Sequence, residues 1–465
     1  MAFGFFKKKN TADIIYMNGH IYTQDPEYPW ASAVACKDGR ILAVGDFEAM
    51  DEISSDDTQI INLKEQYMFP GFIETHGTQI LKTFSEQYLS LDPVWDLDTV
   101  LDAVRDYAES TENEVIFAYG YGESILADYD EAEDLHRLLD EIQEDRPVVL
   151  LGISGIHCWL NTLAADIVQC AAEDQCLQYV STEFILHTLA PLDFEAIEGC
   201  VMETGDELAD KGITAVFPLN TPDYFNSVFQ SCLITLIGEN ITLKQRLFSS
   251  IYINRPLPPE LVLHKLTEAR TNCTELDSMI TCDFLKIEVS EDENLAFFTQ
   301  DQLNTICLTA AEKGYNIHID ALDKESVEKA AVTFRFLRSK GCKNNTFVLA
   351  ADKDTVLPEE NEFITTWQTD YLNASVFGHA QNVSQAIDLL TSSAAEMLGI
   401  SKEAGSIERG RRADFTVFEE NPLDKSLRYF STMHASRTIV DSQIVYDQDE
   451  ARDEEMRDLL FSMQL

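Results

Sequence analysis

Positive charge is scarce in this chain. Its 465 residues hold 34 Lys and Arg against 81 Asp and Glu, a formal net charge of −47. A surface that acidic repels phosphate backbones and anionic lipid headgroups, which argues against nucleic-acid and membrane-surface partners. No stretch of 18 apolar residues occurs, so no spanning helix is expected. The opening MAFGFFKKKN sets its lysines after a very short apolar patch, the reverse of a secretory signal, and a cytoplasmic location is expected. None of the ten cysteines forms a Cys-x-x-Cys pair, and most sit in apolar stretches. They read as buried thiols of a reducing compartment, not as a disulfide frame or zinc knuckle. No Gly-x-Gly-x-x-Gly or P-loop follows an apolar run, which weakens a nucleotide-binding open sheet. Acidic runs such as Asp128 to Asp134 lack the glycine spacing of a calcium loop and read as solvated helix faces.

What remains is a globular composition, 45% apolar and 25% charged, long enough for a large domain plus a small one. Short strands fill the first 70 residues, with turns expected at Asn18-Gly19 and at Lys37-Asp38-Gly39. From Met68 to about residue 400 strands alternate with helices. The strand candidates are Phe72 to Thr75, Val115 to Tyr119, Val148 to Ile153, Thr214 to Pro218, Phe248 to Ile253, Phe284 to Val289, Tyr315 to Ile319 and Phe347 to Ala350. Eight strand-helix repeats point to an α/β fold with a parallel sheet, and the span 69–402 suits a (β/α)8 barrel; a doubly wound open sheet is the alternative. Strands return after residue 403, at 406–408, 415–418, 437–440 and 443–446, with a hairpin at Asp441-Ser442. Residues 12–68 and 403–449 are expected to pair into one small β-sandwich, because neither end can bury a face alone. Residues 450–465 read as a short amphipathic helix.

In Phe72-Ile73-Glu74-Thr75-His76-Gly77-Thr78, residues 74, 76 and 78 share one face of a strand. Facing a barrel interior, they set a carboxylate, an imidazole and a hydroxyl near a strand's C-terminal end, where barrel enzymes keep their chemistry. The order of motifs resembles the amidohydrolase superfamily, and within it the amidohydrolase-3 group. Ala12 to Thr23 and Lys37 to Gly45 look like its opening strands. Pro70 to His76 looks like its first barrel strand, and Tyr119 to Ser124 and Arg146 to Asn161 like later segments. Gly405 to Phe415 is the most specific match.

The resemblance implies a metal-dependent hydrolase of C–N bonds other than peptide bonds, with a small-molecule substrate. Carried over residue by residue, His76 matches the first His of the family's His-x-His pair, but Thr78 stands where the second would be. Lys286 matches the often carbamylated Lys, and His318 a later His. Ala350 or Ala351 replaces another His, and Asp370 is the candidate for the final Asp. The implied ligands are His76, Lys286 and His318, holding one divalent metal, zinc foremost, in a reduced site. Asp370 or Glu74 would move the proton, and His157, Asn161 and Asp320 would line the substrate pocket, with His157 and Cys158 nearest to filling the missing ligand positions. The alternative is a catalytically inactive barrel that binds a small ligand or a protein partner. A homo-oligomer is compatible with either.

Overall fold

The computed structural model describes residues 11–77, 80, 83, 88–94, 96–126, 132–152, 157–169, 179–190, 194–218, 223–273, 279–291, 296–351, 355–358, 362–367 and 378–453. Five strands open the chain: β1 (Ile14–Tyr22), β2 (Trp30–Lys37), β3 (Arg40–Gly45), β4 (Gln59–Asn62) and β5 (Tyr67–Pro70). β2 and β3 form the expected hairpin. Asp38 and Gly39 sit at φ 50° and 70°, the double positive φ of a turn whose twist matches its strands. Asn18-Gly19, expected to turn a hairpin, does not. β1 runs through it as a bulge, with Asn18 at φ 54°. The bulge lets one strand serve two partners: Ile14 to Met17 pair with β4, and His20 and Ile21 pair with β5.

After β6 (Phe72–Gly77) the chain leaves the main sheet. β7 (Leu89–Val94), β8 (Ile116–Tyr121), β9 (Val148–Gly152) and β10 (Cys158–Leu160) make a separate four-stranded sheet in the order β10-β9-β8-β7. The segments around Val115 and Val148, expected as barrel strands, therefore belong elsewhere. Each is apolar on both sides because this sheet is itself covered on both faces. One face packs Ala118, Val148 and Leu150 against Val100, Val104 and Leu135 of two helices. The other packs Phe117, Val149 and Leu151 against Ile185 and Phe225.

The chain then supplies β11 (Ile213–Pro218), β12 (Arg246–Ile253), β13 (Ile280–Val289), β14 (Asn316–Ala321), β15 (Phe347–Ala351) and β16 (Ile364–Trp367). With β6 they form a seven-stranded parallel sheet in the order β16-β15-β14-β13-β12-β11-β6. Helices connect successive strands, for example Pro259–Cys273, Gln300–Ala311 and Lys324–Ser339. The last two begin with reciprocal capping boxes at Thr299/Gln302 and Asp323/Ser326.

β17 (Phe415–Phe418), β18 (Arg437–Val440) and β19 (Gln443–Asp447) return to the opening strands, and β17 pairs antiparallel with β5. Both chain ends thus meet in one continuous eight-stranded sheet. Asp441 and Ser442, at φ 50° and 62°, turn the expected hairpin between β18 and β19. Residues 406–408 form no strand; the Ile407 amide donates to the Thr23 carbonyl instead. Residues 448–453 are helical, and the rest of the expected terminal helix lies outside the described residues.

Two joints lock the sheets together. Gly212, at φ 81°, lets its backbone meet Thr416: a Cβ there would lie 2.0 Å from Thr416 Cγ2. Thr416 Oγ1 donates to the Gly212 carbonyl at 2.6 Å and accepts from the Phe72 amide at 3.2 Å. The second joint is Arg246 at the start of β12, 1% exposed. Its Nε and Nη2 donate to the two Asp414 oxygens at 2.9 and 3.2 Å, and Nη2 also reaches Asp441. Burial alone would lower the guanidinium's pKa, but the two carboxylates more than offset it. Removing Arg246 leaves the nearly buried Asp414 carboxylate without its guanidinium partner. Arg246→Met is therefore expected to destabilise the protein by about 3–5 kcal/mol in urea unfolding. A loss below about 1 kcal/mol would show that the joint carries little of the stability.

Candidate metal centre at the strand ends

Strand register decides which side chains meet. Lys286 on β13 lies opposite His318 on β14, and Glu288 opposite Asp320. Tyr252 on β12 lies opposite Lys286. Paired residues on neighbouring strands share a face, so these groups line one side of the sheet. The residues between them, Leu285, Ile287, Ile317 and Ile319, turn to the other side and join the core under the helices. On β15, Val348 is opposite His318 and Ala350 opposite Asp320. Ala350 is thus the residue on the site's face, while Ala351 packs in the core beneath the helices.

His76 comes from β6, and β11, β12 and β13 separate it from β14. A flat sheet would hold the two strands roughly 19 Å apart, at about 4.8 Å per step. Instead the rings of His76 and His318 are 5.7 Å apart, centroid to centroid. Donor atoms of His76, His318 and Asp320 all lie within 4.8 Å of one another. The sheet is therefore curled back on itself. Within this curl Phe217, Phe248, Phe284 and Val348 fill the interior beside the site.

All three donors are buried. His318 Nε2 is 3.0 Å from Asp320 Oδ1, while His318 Nδ1 and Asp320 Oδ2 have no hydrogen-bond partner. Thr75 Oγ1 lies 3.3 Å from His76 Nδ1, and Glu74 Oε1 accepts the His76 amide at 3.3 Å. Lys286, fully buried, donates to the Pro218 carbonyl at 3.1 Å and faces Asp320 Oδ2 at 3.7 Å, with the Phe217 ring beneath it. Burial would raise the Asp320 carboxyl, but Lys286 and the two imidazoles outweigh that and hold it well below the usual carboxylate range. Burial pushes Lys286 below the ordinary lysine value against the pull of Asp320 and Glu288. Burial likewise lowers His318 and favours the neutral imidazole, the form that binds metals.

Several residues singled out from sequence take other places. Asp320, expected on the substrate, stands in the donor cluster. Lys286, implied as a ligand, sets its Nζ 3.7 Å from that carboxylate. Asn161 is fully buried and wholly engaged in structure. Its Oδ1 accepts from the Val148 and Ala164 amides at 2.9 Å, and its Nδ2 donates to the carbonyls of Gln143 and Arg146. It caps the helix Thr162–Ile167 and has no capacity left for substrate. His157 immediately precedes β10, and its carbonyl accepts the Gly152 amide at 2.8 Å. Burial lowers its imidazole, opposed by Glu123. Neither His157 nor Cys158 joins the donor cluster, and Cys158 packs in the apolar core. Thr78 and Asp370 lie outside the described residues. His136 is buried, with Nδ1 at 2.6 Å from the Leu160 carbonyl. Tyr252 and Asn254 were not singled out from sequence. Their only signal is that they close an apolar strand at its C-terminal end.

Asp320→Asn leaves the Lys286 ammonium buried without its carboxylate and is expected to cost about 3–5 kcal/mol in urea unfolding at pH 7. Adding Lys286→Met should return most of that loss; simple additivity would mean the two side chains do not interact. The sign with pH follows from the depressed folded pKa of Asp320. Its stabilisation is complete above the unfolded value, about 3.9, and fades as pH falls toward the folded one. The gap between wild type and Asp320→Asn should therefore narrow in acid.

Comparison with known proteins gives the site a context. The model of the amidohydrolase family matches residues 59–346 and 375–446. "Protein LONG AFTER FAR-RED 3" of Arabidopsis thaliana is 29% identical over 163 residues, 34% of this chain and 26% of that protein. "Putative amidohydrolase YtcJ" of Bacillus subtilis is 31% identical over 154 residues, 32% of this chain and 28% of that protein. The matched stretch thus spans little more than a quarter of either curated relative. An uncharacterized metal-dependent hydrolase from Pyrococcus horikoshii shares the fold, with a TM-score of 0.61 at 15% identity, covering 90% of this chain and 99% of that one. With a family match running through most of its length, including the strands that carry His76, Lys286 and His318, this chain belongs to the amidohydrolase family.

Proposed function

We propose that the chain is a metal-dependent hydrolase of C–N bonds other than peptide bonds, acting on a small molecule with a single divalent ion. His76, His318 and Asp320 would hold that ion. The observation that carries this reading is the convergence of three buried donors, His76, His318 and Asp320, within 4.8 Å of one another, with His318 Nδ1 and Asp320 Oδ2 lacking a hydrogen-bond partner. Buried polar atoms are normally paired, so two such atoms beside a third donor make a binding site the natural account. Two imidazoles and one carboxylate form a donor set used by catalytic zinc. A bound ion supplies Lewis acidity, lowering the pKa of water and polarising a carbonyl.

The chain's own residues do the rest. Lys286 keeps Asp320 ionised; as a carbamate, it would turn from a cation into a further oxygen donor. Glu74, buried beside His76, or Asp370 would move the proton. The wall of Phe217, Phe248 and Phe284 keeps the base of the site dry. Closure of the curled sheet into an eight-stranded barrel, with the chain ends as a composite β-sandwich beside it, completes the reading. No described helix is long and apolar enough to cross a membrane.

Two observations favour a second reading, a family member that binds a small ligand without hydrolysing it. Ala350 offers only a methyl group on the site's face, and the Lys286 ammonium already neutralises Asp320. Elemental analysis of the chain purified without chelator separates the two. About one divalent ion per chain is expected. It should be lost in His76→Ala and His318→Ala, together with hydrolysis of a panel of N-acyl amines. Absence of metal after incubation with excess Zn²⁺ or Mn²⁺ would leave the binding reading standing.

A further inference from the structure

Asn254 follows β12 by one residue and is 1% exposed. Its Nδ2 donates to the Tyr252 hydroxyl at 3.3 Å, yet its Oδ1 is buried with no hydrogen-bond partner. The orientation of the amide follows from chemistry. A carboxylate only accepts, so Tyr252 spends its single proton on Glu288 Oε2, at 2.5 Å. The tyrosine oxygen is then left as an acceptor, and only the NH₂ end of Asn254 satisfies it. The carbonyl end is turned the other way and presents a lone pair. The relay lies on the catalytic face of the sheet, because Tyr252 is opposite Lys286 and Glu288 is opposite Asp320.

We propose that Asn254 is a specificity-determining residue whose Oδ1 accepts an N–H of the substrate. The site then selects secondary amides and ureides, which carry hydrogen on nitrogen, over their N,N-disubstituted counterparts. Tyr252 and Glu288 act as positioning residues that fix the amide's direction. This inference rests on the reading of the site as a C–N hydrolase. An N-methyl group set against Oδ1 leaves the buried acceptor unpaired and crowds it, so discrimination on the order of 10- to 100-fold is expected.

The test compares N-butylacetamide with N-butyl-N-methylacetamide, by amine release for turnover and by ligand-observed NMR titration for affinity. Wild type is expected to favour the secondary amide on the order of 10- to 100-fold in kcat/KM. Asn254→Leu, which removes the acceptor at similar volume, should bring the ratio to within about threefold of unity. Tyr252→Phe should lower the ratio as well, because the freed amide flips. It serves as the second variant should Asn254→Leu melt abnormally by circular dichroism. A ratio unchanged in the folded variants, or no preference in wild type, overturns the proposal. Turnover of neither amide counts against the hydrolase reading alone, and the NMR titration then decides. A binding preference abolished in the variants upholds the role of Asn254; equal or absent binding overturns it.

Discussion

Two strands separated by three others cannot share a ligand unless the sheet between them bends through most of a circle. The site depends on that bend. His76 enters from one end of the seven-stranded sheet and meets His318 from β14 across the curl. Register breaks occur where β12 passes from Ser249 to Ser250 and twice along β6 and β11. Such irregularities sharpen local twist. The one on β12 is held by Asn226 and Gln230 of the helix Asp223–Gly238, whose amides reach Ser249 and the Ser250 carbonyl. Aromatic rings fill the inside of the curve, and Ile, Leu and Val fill the outside. Geometry at the donors is thus a product of packing several residues away.

Electrostatics adds a second constraint. Basic residues are few, yet Arg246 and Lys286 are among the largest fully buried side chains. Each answers a carboxylate that the fold has largely withdrawn from water: Asp414 in one case, Asp320 in the other. The first cluster joins two sheets, and the second sets the charge of the donor cluster. Both depend on the low dielectric of their surroundings, where an unanswered charge is costly.

Much of this was legible in the sequence because local chemistry dictated it. Asp38-Gly39 and Asp441-Ser442 turn hairpins because their residue types tolerate positive φ. Strand periodicity set Glu74 and His76 on one face, and the family resemblance singled out Lys286 and His318. What was not legible required knowing partners. Asn18-Gly19 has a hairpin's composition, but β4 and β5 compete for β1 and make it a bulge. The apolar runs at Val115 and Val148 carry the same pattern as barrel strands, and nothing local says which sheet will take them. The surroundings of Lys286 were likewise hidden, since they include the Pro218 carbonyl and the Phe217 ring from a distant strand.

The excursion from Gly77 to Ile213 leaves the main sheet at the strand that carries His76 and comes back one strand over. Closing a loop costs entropy that grows only with the logarithm of its length. The segment covers one face of its sheet with its own helices, and the other face also packs on Phe225 of the helix Asp223–Gly238, so part of that cost is offset within the segment itself. Within this chain, the excursion can therefore lengthen, shrink or change its outer helices while His76 and the strand beside it keep their places. Evolution is free to reshape what approaches the donors without disturbing the donors themselves.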